Sequence, residues 1–152
     1  MNISTTYTKI ITGEDLMETA QHGSTLYPFQ FYYEDLSVFD FNCIEWHWHT
    51  ELEFIYIESG TVTLWIGEDQ FHLTEGNGVF INTKVLHRLY SPSKALIPNF
   101  VFMPSFIAPC DSLIYQKYIL PIISSSLPFL VFHKKVCWQA KVLSIMRQII
   151  SA

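Results

Sequence analysis

The sequence predicts a mainly β protein: an antiparallel sandwich or barrel followed by a C-terminal helical segment. Three observations carry that expectation. From Thr25 onward, short β-rich runs follow one another, reading LYPFQFYY, VFDFNCIEWHW, ELEFIYIE, TVTLWI, QFHLT, GVFIN, LHRLYS and IPNFVFM. Turn residues separate them at Ser59-Gly60, Gly67-Glu68-Asp69, Glu75-Gly76-Asn77-Gly78 and Ser91-Pro92-Ser93. No helical period intervenes, as expected of many short strands packed into one sandwich or barrel. Beyond Val136 the apolar period lengthens to that of a helix.

The 152 residues suit one domain with a sizeable core. Residues 1–24 are polar and without period, and read as an N-terminal arm. Residues 25–108 carry the strand runs, and 109–152 form a helical, dimerising segment. Within TVTLWI, Val62, Leu64 and Ile66 share one face and Thr61, Thr63 and Trp65 the other, so the first set should be buried. Asp111 to Ile119 reads as a short helix with Asp111 as its N-cap. LPFLVFH returns to strand texture. In the last helix, Trp138, Val142, Ile145, Met146 and Ile149 form one apolar stripe, widened by Leu143 and Ile150. The stripe is still running at Ala152, which predicts a longer parent protein.

Composition narrows the function. Hydrophobic residues make up 49% and aromatics 16%, which excludes disorder. Charged residues are only 15%, below the usual quarter, so part of the surface is expected to be covered by a partner. A net charge of −5, with Lys134-Lys135 as the only basic cluster, argues against unaided nucleic-acid binding. Cys43, Cys110 and Cys137 are widely spaced and odd in number, as expected of reduced thiols in a cytoplasmic protein. The N-terminus lacks the pattern of a signal peptide. The most apolar region, Tyr118 to Phe132, is broken by Pro121, three serines and Pro128, so it cannot span a bilayer.

The chemistry concentrates in His47-Trp48-His49-Thr50-Glu51-Leu52-Glu53, with His87 further on. His47 and His49 are two apart on an apparent strand, so both imidazoles share a face. Glu53 keeps that parity if the strand continues or turns once, and His87 opens a strand that can lie alongside. Three imidazoles and a carboxylate suit a divalent first-row metal: iron, manganese, nickel, zinc or copper. The same groups can instead be the polar end of an otherwise apolar ligand pocket. They can also be an inherited interior whose polar atoms satisfy one another. Glu51 shares their parity and is read as a solvated turn residue, with an inward role if the chain bulges. Trp46 and Trp48 should point away from the pocket. Leu89 should follow His87 inward, with Arg88 and Tyr90 outside. His72 and His133 read as surface or satisfied histidines, and His22 as part of the polar arm.

These residues resemble the cupin superfamily's first motif: two histidines one residue apart, then a glutamate, then a glycine, met here by His47, His49, Glu53 and Gly60 at matching spacing. Phe41 stands where a glycine often opens that motif. Of the second motif, Gly76 and His87 match, while Asn82, Lys84 and Ser91 replace its proline, glycine and asparagine. The fold implied is a cupin-type antiparallel β-barrel, a jelly roll. HWHTELEFIYIESGTVTLWI, then LTEGNGVFINTKVLHRLYS, then LPFLVFH and the helix near Trp138 resemble the N-terminal effector-binding domain of AraC-type bacterial transcriptional regulators over roughly residues 25–152.

That resemblance implies a sensor and not an enzyme. His47, His49, Glu53 and His87 would contact a small effector, often a sugar in that family. Trp138, Val142, Ile145, Met146 and Ile149 would form a homodimer contact. DNA would be reached only through a C-terminal helix-turn-helix domain absent from this sequence. No cofactor is required, a divalent transition metal on the same four residues being the candidate. The competing expectation is a stand-alone metal-dependent cupin enzyme, a dioxygenase or sugar isomerase, for which Glu51 is the one nearby acid or base.

Overall fold

A computed structural model describes residues 8–152. Among the described residues nine strands follow in chain order: β1 (Phe29–Asp35), β2 (Cys43–His47), β3 (Leu52–Tyr56), β4 (Thr61–Ile66), β5 (Asp69–Thr74), β6 (Gly78–Ile81), β7 (His87–Tyr90), β8 (Leu96–Phe102) and β9 (Phe129–Phe132). They form two sheets, a five-stranded one in the order β1-β8-β3-β6-β9 and a four-stranded one in the order β2-β7-β4-β5. Every pairing within them is antiparallel. The chain changes sheet between β1 and β2, again between β2 and β3, and again between β3 and β4. This mainly β architecture is the one expected, and a C-terminal helix follows it.

Period two decides the core. Val62, Leu64 and Ile66 are 0–1% exposed, and they meet Ile55, Val79, Ile81 and Ile97 from the facing sheet. This aliphatic layer removes both inner faces from water. The outer side of β4 is only half covered: Thr63 pairs with His72 at 2.9 Å, and Arg88 lies 4.6 Å above the Trp65 ring.

The five-stranded sheet is apolar on its outer face as well. Phe29, Phe31, Phe54, Phe80, Phe100, Phe102 and Phe132 lie there in one cluster. The Phe54 ring is 5.3 Å from Phe100 and 6.3 Å from Phe132, with interplanar angles of 18° and 7°. Residues after 103 cover this pavement. A π-helix at Tyr115–Ile119 runs into α1 (Leu120–Ile123), and α2 (Cys137–Ser151) crosses β6. A Cβ at Gly78 would meet the Leu143 and Met146 side chains at 3.0 and 3.2 Å, so glycine lets α2 approach closely.

Several expectations are corrected here. Asp111 does not cap the first helical stretch: Ser112 Oγ accepts the Tyr115 N–H at 3.2 Å. The strand read in LPFLVFH is present as β9 and pairs with β6, so a part of 109–152 joins the five-stranded sheet. The α2 stripe is split. Leu143 and Met146 are 1–2% exposed and pack on the chain's own phenylalanine layer, whereas Trp138 and Ile145 are more than half exposed. Met146 therefore faces the chain's own core. The low charge content follows in part from this intramolecular cover. Residues 1–7 of the expected arm lie outside the described residues, and the remainder of the arm docks on the barrel.

Candidate functional site

The four expected residues converge. His47 on β2 stands directly opposite His87 on β7, within the four-stranded sheet. The strand does not run on to Glu53. It breaks at 48–51 and crosses to the other sheet, so Glu53 on β3 faces the histidines across the barrel. All four are buried, and one ligand atom from each lies within 4.8 Å of the others.

Backbone carbonyls orient the rings. Nδ1–H of His47 donates to the Glu45 carbonyl at 2.7 Å, that of His49 to Glu51 at 3.1 Å, and that of His87 to Val85 at 2.8 Å. Each bond fixes a ring and leaves Nε2 as the inward donor atom, as second-shell carbonyls do at metal sites. Glu53 Oε2 lies 3.1 Å from His49 Nε2 and 3.2 Å from His87 Nε2. The residues thus fit a single divalent transition metal and could hold one.

Electrostatics divides the cluster. Burial, then the nearby His87 ring, pushes His47 down to about 3, so it is neutral. Burial also works against charge on His49, but the hydrogen bond and charge of Glu53 win and raise it to about 9. Burial pushes Glu53 up, yet hydrogen bonds from His49 and His87 hold it well below the usual carboxylate range. Without a metal, these opposed shifts favour an imidazolium–carboxylate pairing of His49 with Glu53.

A second polar wall went unread in the sequence. His22 is 6% exposed: its Nε2–H donates to Glu18 at 3.0 Å, and its Nδ1 pairs with the Tyr32 hydroxyl at 2.6 Å. Its ring centroid is 5.7 Å from that of His49. Opposite lie Glu34 and Asn99, joined at 3.0 Å. Tyr32 and Glu34 alternate with Phe29 and Phe31 along β1, and Asn99 interrupts an apolar run, so parity could have pointed to these three. Nothing local marked His22.

The arm closes the mouth. Trp48 points outward, as expected, and clamps residues 15–18: its Nε1–H donates to the Asp15 carbonyl at 2.8 Å, its N–H to Leu16 at 3.1 Å, and its carbonyl accepts the Glu18 N–H at 2.9 Å. The cavity left inside is about 20 Å³, lined by Ile10, Glu18 and His22 from the arm together with the barrel groups. That is room for one ion or water.

The remaining candidates fall where parity puts them. Glu51 is partly buried, with a carboxylate oxygen 3.8 Å from His49 Nδ1. Leu89 is buried, while Arg88 is partly exposed and bonds Glu45 at 3.0 Å. His72 and His133 are exposed. Both motif glycines have positive φ, +87° at Gly60 and +88° at Gly76. Phe41 and Lys84, which stand where the pattern has glycine, keep the left-handed backbone at +58° and +60°. Asn82, in the place of the proline, donates to the carbonyls of Ile122 and Leu127, each at 2.9 Å.

Residues 43–97, which contain all four convergent groups, match the cupin domain family. Over 143 residues, 91% of the chain, the sequence is 24% identical to the "Uncharacterized HTH-type transcriptional regulator YdeC" of Bacillus subtilis (strain 168), covering 48% of that protein. The chain thus spans about half the length of this curated relative. An RmlC-like cupin from Shewanella frigidimarina NCIMB 400 superposes at a TM-score of 0.45, with 17% identity over 50% of this chain and 67% of that one. An oxalate decarboxylase variant from Bacillus subtilis does so at 0.37, with 20% identity over 40% of this chain and 18% of that one. No helix among the described residues is long and apolar enough to cross a membrane.

Proposed function

We propose that this chain is the effector-binding and dimerisation part of an AraC-type transcriptional regulator, acting in the cytoplasm, and that it is not an enzyme. The observation that carries the reading is the closed polar chamber whose one wall, residues 10–22, comes from outside the barrel. A chamber of about 20 Å³ admits a metal ion or a water, not a sugar. An effector of sugar size binds only when the arm moves, and it then contacts His49, Tyr32 and Glu34 in place of the arm. Binding and arm position are thereby linked, because the ligand has different affinity for the two states. Similarity to a protein named as a helix-turn-helix regulator of twice the length supports this use of the linkage.

A metal held by His47, His49, Glu53 and His87 would supply a Lewis-acidic centre for ligand hydroxyl or carboxylate groups. The chain's own part is to orient the imidazoles through carbonyls 45, 51 and 85 and to keep water out with the arm. Trp138, Ile145 and Ile149, exposed along α2, are the dimer contact in this reading.

The test is thermal unfolding of the chain against a panel of monosaccharides, polyols and small organic acids. At least one is expected to stabilise it saturably, by about 2.7 kcal/mol at a hundredfold excess over Kd. His49→Ala and Tyr32→Phe should remove the effect. Turnover of a substrate by the metal-loaded chain, or a gene that stops at codon 152 without helix-turn-helix sequence, overturns the proposal in favour of a cupin enzyme.

A further inference from the structure

One side chain plugs the arm into the barrel. Within residues 8–28 His22 alone is buried, while Gln21 and Ser24 on either side of it face solvent. A polar ring buried alone in an exposed stretch is held by what it meets in the chamber, not by a core of its own segment. The backbone is shaped to aim it there. Gly23 follows at φ +74°, and a Cβ on it would lie 2.5 Å from the Tyr27 carbonyl oxygen and 2.7 Å from the Phe29 nitrogen, so the turn after His22 needs glycine.

The chamber that His22 enters is rich in acceptors. Glu18, Glu34 and Glu53 line it, and among the described lining residues there is no lysine or arginine. Its donors are engaged within the wall. The Asn99 amide gives its two hydrogens to Glu34 and to the Ile97 carbonyl, each at 3.0 Å. His49 donates Nδ1–H to the Glu51 carbonyl and Nε2–H to Glu53. A guest that brings N–H groups is matched by such a wall, and one that brings a carboxylate meets three others. The His22 ring fits those terms. Its Nε2–H donates to Glu18 at 3.0 Å, its Nδ1 pairs with the Tyr32 hydroxyl at 2.6 Å, and it stands edge-on to the His49 ring.

We propose, on the reading that this chamber is the effector site, that His22 is a built-in occupant competing with the effector, and that the effector carries an azole or amine nitrogen at the place of this ring. Glu18 is fastened separately, its N–H donating to the Trp48 carbonyl at 2.9 Å, so it stays to accept the guest's N–H when residues 19–24 swing out. Ejecting one ring thus frees that segment from the barrel, and occupancy of the chamber is reported on the arm.

The test is thermal unfolding of the whole chain, cleared of metal by chelation, titrated with imidazole and, as an anionic counterpart, acetate. Imidazole should stabilise His22→Ala saturably, the free ring entering the space the side chain left, and acetate should not. The unsubstituted chain should need about tenfold more imidazole or beyond, because its own ring fills the site. Proton NMR of the unsubstituted chain gives a reading that needs no variant: the His22 ring signals, displaced by the Tyr32 and His49 rings, should move to free-histidine positions as imidazole is added. Imidazole that acts equally on both chains, acetate that acts as well as imidazole, or His22 signals that stay fixed throughout overturn the proposal. Should a monosaccharide nevertheless stabilise the chain in a manner that Tyr32→Phe removes, the effector site stands and the nitrogen assignment alone falls.

Discussion

The two faces of the five-stranded sheet make opposite cavities from the same strands. On the inner side Glu53, Tyr32, Glu34 and Asn99 look into a chamber of about 20 Å³. On the outer side their neighbours Leu52, Phe54, Phe100 and Phe102 pave a face over which a cavity of about 500 Å³ opens. The alternation of a strand lets one segment present a polar, hydrogen-bonded face on one side and an apolar face on the other. The difference lies in how each is closed. The arm wall of the chamber is held by hydrogen bonds from Trp48, whereas the roof of the outer cavity is tied at Asn82 and leaves an exposed apolar rim.

Breaking the inner site should cost most. In chelated protein, Glu53→Ala takes the bonded carboxylate from the buried His49 imidazolium, and chemical denaturation should show a loss of about 3–5 kcal/mol. If the four residues hold a metal, elemental analysis of protein purified without chelator should give about one transition-metal ion per chain, lost in His47→Ala. A loss of under about 1 kcal/mol for Glu53→Ala would mean that water reaches the pair and that the chamber is open.

The outer face should respond through volume. Leu143→Ala removes a buried contact between α2 and the phenylalanine layer and should cost about 2–4 kcal/mol in the same assay. Trp138→Ala, on the exposed side of the same helix, should change monomer stability by no more than about 0.5 kcal/mol. It should instead weaken self-association in sedimentation, which separates the two sides of α2.

The closures give smaller effects. Trp48→Phe deletes the bond to Asp15 and should lower protection of the Glu18 amide by about 0.5–1.5 kcal/mol in hydrogen exchange, with the β3 amides unaffected. The smallest effect has the opposite sign. Phe41 and Lys84 hold left-handed backbone that disfavours a Cβ, so Phe41→Gly and Lys84→Gly should each raise stability by about 0.5–1 kcal/mol. A fall in unfolding temperature for either would show that its side chain contributes more than its backbone strain costs.

Much of this was legible in the chain. Alternation in TVTLWI and LHRLYS placed Val62, Leu64, Ile66, His87 and Leu89 inside, because a half-buried strand must separate apolar from polar at period two. The spacing of His47, His49, Glu53 and His87 told which groups meet, although Glu53 arrives from the opposite sheet and not along one strand. The arm was not legible. Glu18 and His22 lie in a polar stretch without period, and only the Trp48 clamp, which bonds residues thirty or more positions away in sequence, brings them beside His49. The α2 stripe was ambiguous for a related reason: one apolar face can pack at home or on a partner, and Leu143 and Met146 reached Gly78 while Trp138 and Ile145 did not.

By itself, then, the sequence determined the β class, the inward set of strands such as TVTLWI and the four polar groups that meet at the centre, since all three follow from local periodicity and side-chain chemistry. The tertiary structure alone decided the closed volume of the chamber, the second polar wall and the apolar cavity on the outer face. Those depend on how far apart packed elements come to rest, which long-range closure fixes and no local pattern encodes.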